Sequence, residues 1–120
     1  MLIRKLLECE EFIAGDHTRL RELLHPDKQP LNLRYSLAHA QVDVGETSIP
    51  HALKTAEVYY ILQGQGEMHI DEEVQLVTVG DAIYIPPLAK QYIHNCGEEP
   101  LVFLCIVDPA WRLEDEIIFE

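Results

Sequence analysis

Short extended runs separated by glycine and proline dominate this chain after residue 30. The candidate strands cover residues 33–44, 57–63, 67–70, 74–79, 82–85, 91–94 and 101–107. A turn signal about every eight to twelve residues is typical of a β-sandwich or a barrel. The intervals between the runs are too short for the crossover helices of a parallel α/β sheet. The spacing therefore predicts an all-β fold.

The chain divides into three regions, which are a lead, a strand-rich body and an acidic tail (1–30, 31–110 and 111–120). Within the lead, residues 2–6 are a candidate strand. Residues 19–24 are a candidate short helix, because their leucines recur at helical spacing and Pro26 follows soon afterwards. We expect Trp111 to pin the tail onto the barrel or onto a partner subunit.

Acidic residues outnumber basic ones by 21 to nine, which gives a formal net charge of −12. Such a surface repels phosphate backbones, so we expect no nucleic-acid partner. No apolar run approaches the roughly 18 residues of a membrane span, so we expect no membrane partner. The cysteines, Cys9, Cys96 and Cys105, are three in number and have no motif spacing. This odd count favours reduced thiols and a cytoplasmic protein.

Two segments of the body carry the spacings of known motifs. The first, GETSIPHALKTAEVYYILQG, matches the first cupin motif at Gly45, His51, Glu57 and Gly64. The second, GDAIYIPPLAKQYIHN, matches the second cupin motif at Gly80, Pro86 and Asn95. With a strand-forming spacer between the two motifs, the chain resembles a single-domain cupin over about residues 33–107. This resemblance implies a double-stranded β-helix, also described as a jelly-roll barrel.

The chain departs from these motifs at three positions. Leu53 stands where the first motif has its second histidine, and Gln91 stands where the second motif has its histidine. Leu88 replaces a motif glycine. The family's usual site is three histidines and one glutamate around a divalent metal. The resemblance therefore implies a reduced metal site of His51, Glu57 and Gln91, suited to Mn, Fe, Zn or Ni.

Strand alternation bears on this site in two ways. His51 and Leu53 are two residues apart and share a face, while Glu57 begins the next strand and can face the same interior. His39, on the first long strand, is a weaker candidate for a replacement ligand. The alternative is a pocket without metal, in which His51 and Glu57 bond to each other and Gln91 satisfies a buried backbone group.

Two tyrosines are candidates for catalytic or ligand-binding roles. Tyr59 shares its face with Glu57, and Tyr84 lies on a neighbouring candidate strand. A phenol can donate a proton or hydrogen-bond to a substrate. The alternative for both is a half-buried strand residue with no chemical role.

The leading hypothesis is a small metal-dependent cupin that acts on or binds a small polar molecule inside the barrel. The resemblance implies isomerase-, dioxygenase- or lyase-like chemistry, including proteins described as mannose-6-phosphate isomerase-like. The alternative hypothesis is a non-catalytic binding module without a tightly bound metal. We also expect a homodimer, because unpaired sheet edges invite pairing and Tyr60 and Leu62 add apolar area to the outer face.

Overall fold

The computed structural model describes residues 1–119. It contains eleven strands, which are β1 (Glu11–Ile13), β2 (Arg19–Leu24), β3 (Ser36–Val42), β4 (His51–Leu53), β5 (Ala56–Gln63), β6 (Gln65–Ile70), β7 (Glu73–Thr78), β8 (Ala82–Ile85), β9 (Gln91–Asn95), β10 (Leu101–Asp108) and β11 (Glu116–Ile118). Two single 3-10 turns cover Leu6–Glu8 and Leu113–Asp115.

The strands form two antiparallel sheets that pack face to face. One sheet has the order β1-β2-β3-β10-β5-β8, and the other has the order β11-β4-β9-β6-β7. Consecutive strands repeatedly lie in different sheets, as in a jelly roll. The prediction of an all-β, double-stranded β-helix is therefore confirmed.

Period-two burial explains how the sequence builds this barrel. On β10, burial alternates at every residue, so that Leu101, Phe103, Cys105 and Val107 point inward. Leu101, Phe103 and Cys105 meet Ile61 from β5 and others from the facing sheet in a single apolar cluster. Burying this many branched and aromatic side chains is the main favourable contribution to folding.

The first cupin motif ends at a tight connection between β5 and β6. Gly64 there has a positive φ of 88°. A Cβ at this position would lie 2.9 Å from the backbone oxygen of Pro100. Only glycine fits both the left-handed backbone and the close approach of the neighbouring chain.

The helix predicted over residues 19–24 was wrong, because this segment is β2 and pairs with β3 along its length. Its alternation of Arg19 and Arg21 with Leu20 suits a strand that faces solvent on one side and the barrel on the other. The strand predicted over residues 2–6 was also wrong. That segment is irregular, and Arg4 Nε donates to the backbone oxygen of Leu23 (3.1 Å). Through β1 and β2, the lead extends the six-stranded sheet beyond β3.

The outer face of β5 carries Tyr60 and Leu62, both of which are exposed as expected. The homodimer inferred from this face stays a prediction. Among residues 1–119, no helix has the length and apolar character needed to cross a membrane.

Candidate functional site

A cavity of about 240 Å³ lies between the two sheets and against the lead. This volume has room for about eight water-sized groups. Its apolar lining includes Phe12, Leu20, Leu53, Phe103, Val107 and Trp111. Its ionisable lining includes Asp16, Glu22, Lys28, His51, Glu57 and Glu116. Polar groups on an otherwise apolar concave wall are the usual composition of a small-molecule site.

Glu57, Gln91 and Tyr59 form a hydrogen-bonded chain beside this cavity. The Gln91 Nε2 amide donates to Glu57 Oε1 (2.8 Å), and the Tyr59 hydroxyl donates to Gln91 Oε1 (3.0 Å). Gln91 is 0% exposed. Both ends of the Gln91 amide are thus engaged within the protein, as a buried polar group requires.

His51 reaches the cavity from β4, where its backbone pairs with that of Gln91. Its Nδ1 lies 2.8 Å from the backbone oxygen of Ile49. Because a carbonyl oxygen only accepts, Nδ1 carries the hydrogen and Nε2 is the open ring nitrogen. The nearest charged partner of Nε2 is Asp16 Oδ2 at 3.6 Å, which is longer than a hydrogen bond.

Asp16 comes to the site from the loop between β1 and β2. Its Oδ1 accepts from the Thr18 backbone nitrogen (3.1 Å) and from the Thr18 hydroxyl (2.7 Å). Its backbone oxygen accepts from the nitrogen of Ile49 (2.8 Å), next to β4. No motif in the sequence marked Asp16 as a site residue. An aspartate followed two residues later by threonine indicates an Asx turn, but nothing local indicates that the turn covers a barrel.

Glu116 is the second acidic group that sequence analysis missed. It lies on β11, directly opposite Leu53 of β4. Residues opposite each other in an antiparallel pair share a face, so Glu116 turns inward beside Leu53. A Cβ at Gly15 would lie 3.3 Å from Glu116 Oε1, which shows how closely the loop approaches this carboxyl. The sequence identified Glu116 only as a member of the acidic tail.

Burial controls the ionisation of the carboxyl groups in this site. Burial raises the pKa of Glu57 from 4.5 to about 8, and the negative charges of Asp16 and Glu116 act in the same direction. The hydrogen bond from Gln91 opposes this shift only in part. Burial also raises the pKa of Glu116, against the attraction of His51. Glu57 is therefore a neutral acid near pH 7, able to donate a hydrogen bond.

The structure brings His51, Glu57, Gln91 and Tyr59 together, but it does not bring Tyr84 to them. Ile85 lies opposite Glu57 and points inward, so the neighbouring Tyr84 points outward and is 62% exposed. Burial raises the pKa of the Tyr59 phenol well above its usual value, so this hydroxyl stays protonated.

Two further positions in the sequence analysis have clear placements. Leu53 is buried and lines the cavity, on the same face as His51. His39 lies between the inward-facing Ala38 and Ala40 and pairs across the sheet with Arg21. His39 therefore lies on the outer face of β3 and does not join the site.

The residues present do not fit the divalent metal that the motifs imply. Gln91 uses its carbonyl oxygen to accept a hydrogen bond from Tyr59, and the Leu53 side chain has no atom that can coordinate a metal. Within the described part of the chain, no group of three or more His, Cys, Asp or Glu side chains has the geometry to hold a metal ion.

The arrangement offers a ligand three kinds of polar contact. Glu57 Oε2 has no hydrogen-bond partner among residues 1–119 and can donate from the protonated acid. His51 Nε2 can accept from a ligand, or donate to it once protonated. Asp16 and Glu116 present carboxyl oxygens that accept. The site can therefore bind and orient a hydrogen-bonding molecule with its own side chains.

Comparison with known proteins agrees with this architecture. The model of the Cupin domain family matches residues 38–107, which is more than half of the chain. The uncharacterized protein MJ1618 of Methanocaldococcus jannaschii is 40% identical over 126 residues, and the alignment covers 100% of both chains.

Solved structures agree in fold. A cupin 2 conserved barrel domain protein from Salinispora arenicola has a TM-score of 0.78 at 20% identity, covering 95% of this chain and 91% of that one. Oxalate decarboxylase from Bacillus subtilis has a TM-score of 0.80 at 24% identity, covering 95% of this chain but 30% of that one. The matched domain and the shared two-sheet barrel show that this chain belongs to the cupin family.

Proposed function

We propose that this cupin binds a small polar organic molecule in its cavity through its own side chains, without a tightly bound metal. The observation that carries the proposal is the Gln91 amide. One end of this amide bonds to Glu57 and the other bonds to Tyr59. A ligand position of the usual metal site has thus become part of an internal hydrogen-bonded chain.

The neighbouring groups support direct binding. Glu57 and His51 each keep one polar atom without a hydrogen-bond partner among the described residues, and both side chains line the cavity. A hydroxyl or amino group of a ligand satisfies such atoms, since unpaired buried polar groups are costly. The apolar lining then accommodates the carbon skeleton of the ligand.

The substrate named for the Bacillus subtilis neighbour does not suit this cavity. Oxalate is a small dianion, and here it would face the carboxyl groups of Asp16 and Glu116. Like charges at short range oppose binding. The proposal therefore takes from that neighbour the shared fold, but not the substrate.

Metal analysis of protein purified without an affinity tag tests the proposal. We expect the wild-type protein to contain far less than stoichiometric Mn, Fe, Zn or Ni after growth with these metals. The double variant Leu53→His/Gln91→His should take up close to one metal per chain, because it restores nitrogen ligands to the face that holds His51 and Glu57.

The matched control is His39→Ala, which removes an imidazole from the outer face of the same barrel. This variant should leave the metal content unchanged. Stoichiometric metal in the wild-type protein, lost in His51→Ala and retained in His39→Ala, would overturn the proposal. That outcome would favour the metal-dependent cupin implied by the motifs.

A further inference from the structure

The charged groups around the cavity are unbalanced. Among the described lining residues, Lys28 is the only ammonium, and its Nζ lies 2.6 Å from Glu22 Oε1. That pairing leaves the carboxyl groups of Asp16 and Glu116, together with the neutral acid Glu57, facing a single imidazole. A concave site with an excess of carboxyl groups attracts cations and repels anions, and the formal net charge of −12 acts in the same direction.

Two buried side chains each present one open polar atom to the cavity. His51 is 4% exposed, and no described group lies within hydrogen-bond distance of its Nε2. Glu57 is 6% exposed, and its Oε2 has no hydrogen-bond partner in the described chain. Both side chains line the cavity. Their open polar atoms are therefore available to the polar end of a ligand in the cavity.

The cavity wall also carries several aromatic rings. Phe12, Phe103 and Trp111 contribute to the cavity wall, together with the ring of Tyr59. Aromatic faces stabilise ammonium groups and also pack against apolar carbon. A lining that combines carboxyl oxygens with aromatic rings is therefore suited to a cation carried on a hydrophobic body.

We propose that the ligand of this cavity is a small organic cation, such as a primary ammonium on an apolar skeleton. This inference rests on the proposed function and specifies the class of ligand. The ammonium is placed at the carboxyl groups of Asp16 and Glu116, with His51 Nε2 as a further acceptor, and the skeleton lies against Trp111 and Leu53. Small anions such as carboxylates and phosphates are excluded by the same carboxyl groups.

A matched set of probes tests the charge of the ligand at nearly constant shape. Benzylammonium, benzyl alcohol and benzoate share one ring and differ in the charge of the polar end. Trp111 is the only tryptophan of the chain and lines the cavity, so its fluorescence reports binding. We expect benzylammonium to bind at least about ten-fold more tightly than benzyl alcohol, and benzoate to bind most weakly.

Variants test whether the carboxyl groups of Asp16 and Glu116 cause this preference for a cation. Asp16→Asn keeps an oxygen that can accept both bonds from Thr18, and Glu116→Gln keeps the side-chain shape. Each should weaken benzylammonium about five-fold while changing benzyl alcohol less than about two-fold. Glu98→Gln is the matched control, because it removes the same charge from an exposed position outside the cavity. Thermal melts establish that each variant is folded.

The possible results distinguish failure of the organic-cation inference from failure of the proposed binding function. Binding of benzyl alcohol or benzoate at least as tight as that of benzylammonium overturns the organic cation and leaves the cavity as a small-molecule site. Equal weakening by Glu98→Gln also overturns it, because the effect is then one of net charge. Fluorescence unchanged by all three probes at millimolar concentration overturns both the cation and the proposed function.

Discussion

Replacing Glu57 by glutamine should flatten the dependence of folding stability on pH. Burial raises the pKa of this carboxyl from 4.5 to about 8 in the folded protein. Between these values the folded chain retains a proton that the unfolded chain releases. Glu57 therefore makes its full contribution to the free energy of unfolding below about pH 4.5. This contribution is lost as the pH rises through about 8. The loss is on the order of 5 kcal/mol.

Urea unfolding across this pH range measures the effect. The glutamine variant can still accept the bond from Gln91 and carries no proton to lose. Its stability relative to the wild-type protein should therefore increase steadily with pH. Glu98→Gln, at an exposed position, should follow the wild-type curve. Parallel curves for the wild-type protein and Glu57→Gln would show that Glu57 does not titrate in this window.

Replacing Gln91 by alanine should destabilise the protein by about 3 to 5 kcal/mol. The substitution removes a fully buried side chain and leaves a void between the sheets. It also removes the acceptor of the Tyr59 hydroxyl and the donor to Glu57. Both remaining groups are buried, so each loses a partner that water cannot readily replace.

Gln75→Ala provides the comparison, because Gln75 is an exposed glutamine on β7. Its loss should change the free energy of unfolding by no more than about 0.5 kcal/mol. Tyr59→Phe combined with Gln91→Ala should cost less than the sum of the two single changes, since both remove the same hydrogen bond. If Gln91→Ala costs no more than Gln75→Ala, the hydrogen-bonded chain contributes nothing measurable to stability.

Local patterns were sufficient to predict the barrel. The strand predicted over residues 82–85 coincides with β8, and the strand predicted over 101–107 differs from β10 by one residue. Alternating apolar residues and turn glycines are encoded within a few residues, so they are readable without tertiary information. Alternation also placed Leu53 and Tyr59 correctly on the inward face with His51 and Glu57.

Elements that depend on distant pairing could not be predicted in this way. Residues 19–24 have apolar positions compatible with both a helix and a strand. They form a strand because they pair with the edge of β3. β4 and β11 are three residues each and hold their conformation by pairing with one another. Strands this short carry almost no periodic signal.

Some residues of the site could not be predicted for the same reason, which is that they depend on contacts between distant parts of the chain. Asp16 and Glu116 are distant in sequence from the motifs and meet His51 only after the lead and the tail close over the barrel. Sequence analysis suggested that Gln91 could satisfy a buried backbone group, whereas its partners are the side chains of Glu57 and Tyr59. Period-two alternation predicts which way a side chain points, but not which atom it meets.

The protonation state of Glu57 at neutral pH tests the central claim that a neutral carboxyl has taken the place of a metal ligand. Infrared difference spectroscopy between the wild-type protein and Glu57→Gln observes this group directly. We expect the carbonyl stretch of a protonated carboxylic acid at neutral pH, disappearing as the pH rises through about 8. Carboxylate bands at neutral pH, unchanged on further titration, would contradict the claim, because an ionised Glu57 is the form that coordinates a metal.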